Sequence, residues 1–404
     1  MYIFKAGVVG AGAMGAGIAQ VISYSGLPVV LKDVDQAMLD KGVAHIRSIY
    51  ESRVEKGKMS AGEMQSKMDL IIPTLDYGEF ADVDIVIEAV PEKMGLKQRI
   101  FQELDKVCPE GTLYASNTSA LSITEMARAT NRPQKVIGMH FFNPAHVMKL
   151  VEIIKGEDTD QETVDDLVAF TESLRKIAVV VKECPGFLVN RLLMPYLNEA
   201  TLCLQEGAAT AQEIDEAMVE YGWPMGPFTL MDFLGLDVCY DVGEYLYSQY
   251  GERMKGAVLF EKLFKAGRYG EKVGAGFYGY GDNTDEAVKA MVAETSGGQK
   301  QSEFTPERLM YALINEAAYA VQENIADVRD IDMAMIAGSG MAVQGERMGP
   351  LALADKIGLD VIVAGLEDFE KKLGLRFHPA EKLYELVKAG QLGEKTRSGF
   401  LEYV

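Results

Sequence analysis

At 404 residues the chain is about two to three times the usual length of one domain, which excludes a small scaffold held by disulfides or a metal. Its 48% hydrophobic and 25% charged residues, with 13 prolines, describe a protein folded throughout rather than an extended disordered one. Forty basic against sixty acidic residues give a formal charge of −20, so neither a nucleic-acid surface nor a membrane-inserting or anionic-membrane patch is expected.

The chain begins Met1-Tyr-Ile-Phe-Lys-Ala-Gly-Val-Val-Gly10 and runs directly into an apolar strand, without the basic start and long apolar stretch of a secretory signal. No apolar run approaches the ~20 residues of a membrane-spanning helix. Cys108, Cys184, Cys203 and Cys239 lie far apart, with no CxxC pair, and read as thiols of a reducing compartment. A cytoplasmic location is the expectation.

Phe4 to Val9 predicts a strand, Gly10-Ala-Gly-Ala-Met-Gly15 a turn, and Ile18, Val21 and Ile22 a helix. A second strand, Val29 to Leu31, ends at Asp33 and completes a βαβ unit. Residues 36–69 read as helical, broken at Lys56-Gly57-Lys58 into a hairpin. Strands follow at Val83–Ile87, Thr112–Ala115, Val136–Met139 and Lys149–Ile154, then one more helix and a strand ending near Val181. Alternation of this kind predicts a parallel sheet covered on both faces, hence α/β. Beyond Glu183-Cys-Pro-Gly-Phe187 the patterns turn helical.

The helical part repeats. Arg191–Ala200 resembles Arg308–Ala317, and Glu213-Ile-Asp215 matches Asp330-Ile-Asp332 at the same offset. After a six-residue insertion, Met225-Gly-Pro227 pairs with Met348-Gly-Pro350, and Gly235-Leu-Asp237 with Gly358-Leu-Asp360. The expected division is therefore an α/β dinucleotide-binding domain over 1–182, all-α copies over 183–285 and 304–404, and a polar linker over 286–303. Two copies form an internal pair rather than a solenoid, which needs more repeats.

Gly10, Gly12 and Gly15 follow a strand and open a helix, the setting in which a glycine turn admits a pyrophosphate to free backbone N–H groups. Asp33 lies where an acid accepts hydrogen bonds from an adenine ribose and repels a 2′-phosphate, favouring NAD over NADP. Lys32 beside it opposes that preference. A second group comprises Ser116-Asn-Thr-Ser119, Met139-His-Phe-Phe-Asn143-Pro144 and Val151-Glu152. His140 ends a strand at the carboxyl edge of the sheet and suits the removal of an alcohol proton near neutral pH. Glu152 suits the orientation of its ring, and Ser119 a hydrogen bond to the substrate oxygen. His45, His146 and His378 read as structural, and Tyr240, Tyr245 and Tyr247 as core.

These motifs, with Pro185-Gly-Phe187, Asn190-Arg191 and Gly222-Trp-Pro-Met-Gly-Pro227, resemble the L-3-hydroxyacyl-CoA dehydrogenase family along essentially the whole chain. The similarity is to the dehydrogenase portion of multifunctional fatty-acid oxidation proteins, without their enoyl-CoA hydratase portion. The resemblance implies reversible NAD-dependent oxidation of an L-3-hydroxyacyl-CoA to the 3-ketoacyl-CoA, as in fatty-acid β-oxidation. It implies His140 as general base, Glu152 as its partner, and Ser119 and Asn190 orienting the substrate oxygen. It places Gly10, Gly12, Met14, Gly15, Asp33, Glu92, Lys97, Ser119 and Asn143 about the NAD, and Lys56 against coenzyme A. Arg53, Lys56 and Lys58 give the hairpin tip the positive charge that a coenzyme polyanion needs. No metal is implied. Alternatives are a dehydrogenase of similar fold acting on a free hydroxy acid, and a subunit docking an enoyl-CoA hydratase or thiolase. In the second helical copy Glu307 stands where the first has Asn190, so one active site per chain is expected.

Overall fold

A computed structural model describes residues 1–403, which divide into two units, Met1–Glu183 and the residues from Cys184 onward. In the first, β1 (Ala6–Val9), β2 (Val29–Lys32), β3 (Ile71–Thr74), β4 (Ile85–Glu88), β5 (Leu113–Ser116), β6 (Val136–Phe141), β7 (Leu150–Lys155) and β8 (Ile177–Lys182) form one sheet. Its order is β3-β2-β1-β4-β5-β6-β7-β8, so the chain reverses direction of growth at β1, between β2 and β4. Six helices cover the strands: α1 (Ala13–Tyr24), α2 (Gln36–Glu55), α3 (Ala61–Met68), α4 (Met94–Leu104), α5 (Ile123–Ala127) and α6 (Gln161–Ser173). β1, β2 and β4 are buried at every position, as strands covered on both faces must be. Val8, Ile18, Ile22, Leu31 and Ile87 belong to one buried apolar cluster.

Two features depart from the sequence expectation. β3 was not foreseen, because Pro73 sits inside it; the strand lies at the sheet edge, where a residue without an N–H costs no ladder bond on its open side. The sheet is also not wholly parallel. β6 and β7 are antiparallel, since the connection between them, residues 142–149, carries no crossover helix.

The second unit contains α7 (Val189–Gln205), α8 (Ala211–Tyr221), α9 (Pro227–Leu234), α10 (Leu236–Tyr250), α11 (Val258–Lys265), α12 (Glu286–Ser296), α13 (Pro306–Gln322), α14 (Val328–Ser339), α15 (Pro350–Ile357), α16 (Leu359–Leu373) and α17 (Glu381–Lys388). α12 occupies the segment expected as linker; its Val288 is buried, so this stretch packs. The six-residue insertion falls at a small hairpin, Ala342–Val343 paired with Glu346–Arg347.

Repeated motifs make repeated contacts. Asp215 accepts the N–H groups of Phe228 and Thr229 at the start of α9, and Asp332 those of Leu351 and Ala352 at the start of α15. The glycine of each Met-Gly-Pro is required by that arrangement: a Cβ would lie 2.2 Å from Asp215 at Gly226 and 2.4 Å from Asp332 at Gly349. α7 packs against α13. Between them Arg191 pairs with Glu316 at 2.7 Å, and Arg308 with Glu199 at 2.6 Å. Glu323 and Glu206 complete the reciprocal set at 2.8 and 2.9 Å.

Candidate active site

The glycine loop joins β1 to α1. Gly10 has φ +105°, and a Cβ there would lie 2.6 Å from the Ala89 carbonyl oxygen; one at Gly15 would lie 1.8 Å from that of Gly10. A Cβ on Gly12 would meet nothing within 4 Å, so this glycine borders open space at the helix start. The N-cap of α1 makes no side-chain hydrogen bond, leaving the first N–H groups of the helix for a ligand. Met14 packs partly buried on the core. Asp33 accepts from the N–H groups of Ala11 and Val34, both at 2.6 Å, and so ties the end of β2 to the loop. Lys32, which opposed the NAD preference on sequence grounds, is 7% exposed and holds its ammonium 4.4 Å from the centre of the Tyr77 ring. A dinucleotide fits this cradle: space at Gly12, donors at the helix start and a carboxylate at the second strand.

His140 and Glu152 are twelve residues apart but stand opposite one another in the β6–β7 register. His140 Nδ1 lies 2.8 Å from Glu152 Oε2, and its Nε2 lies 3.2 Å from Ser119 Oγ. The histidine is 5% exposed and the glutamate 1%, so their pairing is shielded from water. The His140 ring also packs against Phe142, with ring centres 4.7 Å apart. Asn143 is exposed just beyond, at the start of the loop to β7. Asn190 is half-buried at the second position of α7, in the helical unit.

Ser119 is held by Glu92, which with Lys97 was expected beside the NAD, and behind both lies Glu88, which sequence reasoning missed. Glu88 is fully buried at the end of β4, where it accepts from Lys97 Nζ at 2.8 Å, Ser116 Oγ at 2.6 Å and the Val90 N–H at 2.7 Å. Lys97, 1% exposed, also reaches Glu92 at 3.2 Å. Glu92 in turn accepts from Thr118 Oγ1 and from the N–H groups of Ser119 at 3.0 Å and Ala120 at 3.3 Å. Partial burial raises the Glu92 pKa, but Lys97, Thr118 and the Ser119 N–H together outweigh it and hold the carboxyl below its ordinary range. An acid closing an apolar strand was the available signal for Glu88.

Lys56 lines a cavity of about 440 Å³ together with Arg53, Lys58, Lys149, Arg175 and Lys176. Among the described residues its walls carry no carboxylate, in a protein of charge −20. Burial, and then Lys149, push Lys176 down to about 8, although its ammonium donates to the Ala145 and Met148 carbonyls at 2.6 Å. His146, in the same wall, is pushed down by burial and by His45, Lys176 and Arg53. Among the described residues no group of three His, Cys, Asp or Glu is placed to hold a metal, and no helix is long and apolar enough to cross a membrane.

A glycine loop between β1 and α1, an acid closing β2 and a carboxylate-backed histidine at the strand ends define a Rossmann-type dinucleotide-dependent oxidoreductase. The 3-hydroxyacyl-CoA dehydrogenase NAD-binding domain matches residues 5–184, and the C-terminal domain of the same enzymes matches 186–280 and 304–403. The chain belongs to the 3-hydroxyacyl-CoA dehydrogenase family. It is 38% identical over 405 aligned residues to a fatty acid oxidation complex subunit alpha of Psychrobacter arcticus, covering 96% of this chain and 56% of that protein. The chain thus spans about half the length of such relatives. A crystal structure of 3-hydroxybutyryl-CoA dehydrogenase from Escherichia coli superposes with TM-score 0.87 at 29% identity, covering 96% of this chain and 100% of the other. For (S)-3-hydroxybutyryl-CoA dehydrogenase from Ralstonia eutropha the values are 0.68 and 41%, covering 70% and 100%.

Proposed function

We propose that the protein catalyses the reversible NAD-dependent oxidation of an L-3-hydroxyacyl-CoA to the 3-ketoacyl-CoA, as in fatty-acid β-oxidation, in the cytoplasm. The observation that carries this reading is the chain Ser119–His140–Glu152, with separations of 3.2 and 2.8 Å. His140 Nε2 takes the proton of the C3 hydroxyl while the C3–H bond breaks and the C=O bond forms. Glu152 holds the other ring nitrogen and stabilises the imidazolium. Ser119, and Asn190 from the helical unit, donate hydrogen bonds to the C3 oxygen and fix the direction of C3. NAD, held by Gly10, Gly12, Met14, Gly15 and Asp33, with Glu92, Lys97 and Asn143 near its nicotinamide half, supplies the hydride acceptor. In the reverse direction the imidazolium returns the proton.

The carboxylate-free cavity of Arg53, Lys56, Lys149 and Lys176 favours a coenzyme A thioester over a free hydroxy acid, since only the coenzyme brings phosphates. Residues 1–182 act as the NAD domain, and 183–285 and 304–404 as two copies of the helical domain, an internal pseudo-dimer. The reciprocal pairs Arg191–Glu316 and Arg308–Glu199 support that reading. Glu307 has no hydrogen to donate where Asn190 has an amide, so the second copy serves architecture and the chain has one active site. The relatives named as complex subunits favour association with an enoyl-CoA hydratase or thiolase as a second role. The test is NADH consumption with 3-ketoacyl-CoA against the free 3-keto acid. Equal rates on both, or none on the thioester, would defeat the proposal.

A further inference from the structure

The helical unit holds a cavity of about 240 Å³ beside α7, α10 and the start of α11 that the chemistry above does not use. Its apolar lining residues Leu246, Met254, Ala257 and Phe260 are buried, whereas the charged Glu244 and Lys255 are exposed. It is therefore apolar within and polar at the mouth. Tyr240 and Tyr247, expected as core, form part of the wall. Gly243 leaves part of the space open: a Cβ there would meet only Met194 Cε, at 3.3 Å.

The repeated sequence supplies an internal control. Asn198 donates to the Lys255 carbonyl and accepts from the Ala257 N–H, both at 2.9 Å. Asn315 makes the same two bonds, to His378 at 2.8 Å and from Ala380 at 2.9 Å. This shared frame sets the positional match. Where the first stretch has Met194, Gly243, Leu246 and Met254, the second has Tyr311, Leu366, Phe369 and Phe377. Leu366 and Phe377 are fully buried there, and the three rings pack with centres 6.0 and 5.1 Å apart. At these four positions the stretch carrying Asn190 has the smaller or more flexible residue, whereas at Tyr240 and Phe260 the second stretch has the smaller Val363 and Leu383.

Asn190, Met194 and Asn198 recur every four residues and share one face of α7, with Met194 and Asn198 in the cavity wall. Asn190 itself is not in that wall but stands four residues before Met194, about 6 Å along the helix. We propose that this cavity takes the hydrocarbon tail of the acyl group and sets chain-length preference. The proposal rests on the dehydrogenase reading above. An apolar cavity of about 150 Å³ admits a six-carbon ring, so this one has room for a tail of roughly eight carbons. Met194 and Met254 are flexible enough to adapt to different lengths.

The experiment measures kcat/KM with 3-ketoacyl-CoA substrates of four, eight and ten carbons on the full chain, alongside Gly243→Leu and Met254→Phe, the residues of the second stretch. The parent should favour eight carbons over four, and either variant should lower the eight-to-four ratio about tenfold or more. An unchanged ratio in a variant shown folded by circular dichroism overturns the proposal, and so does equal loss at both lengths. Should both variants fail to fold, the parent decides: a steady decline from four carbons upward overturns it. Absence of turnover at every length would instead remove the dehydrogenase reading.

Discussion

Glu92 Oε1 accepts the backbone N–H of Ser119 at 3.0 Å, so the hydroxyl beside His140 Nε2 is positioned by a carboxylate 27 residues earlier in the chain. Glu92→Ala removes that anchor and also frees Thr118 Oγ1 and the Ala120 N–H. Small displacements of positioning groups cost about 10² in rate, and kcat should fall on that order. At saturating NADH, where an effect on coenzyme binding drops out, Glu92 acts through Ser119 and adding Ser119→Ala should cost little more. Full additivity in the double variant would show that the two act separately.

His140→Gln should lower turnover by about 10²–10⁴, the usual effect of losing a general base, while leaving the dissociation constant for NADH nearly unchanged. The glycine loop and Asp33 hold the coenzyme in this reading, not the histidine. Fluorescence titration and steady-state rates separate the two effects. A variant within threefold of the parent rate would take His140 out of the mechanism.

Asp33→Ala should weaken NADH binding and narrow the preference over NADPH. Lys32 does not compensate, because its ammonium is buried against Tyr77. Comparable rates with NADPH and NADH in the parent would contradict the assignment.

Lys176 carries the pH dependence of the basic cavity. Its pKa in the fold, about 8, lies below its ordinary value of 10.5, so between those limits the unfolded chain binds more protons and this group's contribution to stability rises with pH. A phosphate entering the cavity reverses the imbalance by favouring the charged amine. Coenzyme A binding at pH 8 should therefore take up protons, seen as a calorimetric enthalpy that differs between HEPES and Tris. Lys176→Met should diminish the uptake; identical enthalpies for the parent in both buffers would exclude it.

Arg308→Met should destabilise the helical unit by about 1–3 kcal/mol, since the Arg308 and Glu199 side chains are 1% and 2% exposed and Glu199 loses one of its two cationic partners, keeping Arg376 at 2.8 Å. Arg191→Met should cost a similar amount, since Glu316 then keeps only Arg253, at 3.4 Å. Deleting residues 304–404 removes α13 from α7 and should yield dimers or aggregates by light scattering. A well-behaved truncated monomer would refute the internal pairing.

The glycine turn, Asp33 and the alternation of strands with helices were legible because they depend on local chemistry: a helix start without a side-chain cap and apolar runs of strand length. His140, Glu152 and Ser119 were also legible as a set, but from motif resemblance, since nothing in a separation of twelve residues specifies contact. Tertiary structure decided that contact through the antiparallel β6–β7 register, which follows from a connection too short for a crossover. It also decided that Glu88 is buried beneath Lys97 and Glu92, and that Pro73 lies at an edge where its missing N–H does no harm. The repeat was written in the sequence, whereas the exchange of Arg191 and Arg308 between α7 and α13 arises only when the two helices pack. Local pattern fixes which elements form; which side chains meet depends on strand pairing and helix packing, which bring together residues that chain distance keeps apart.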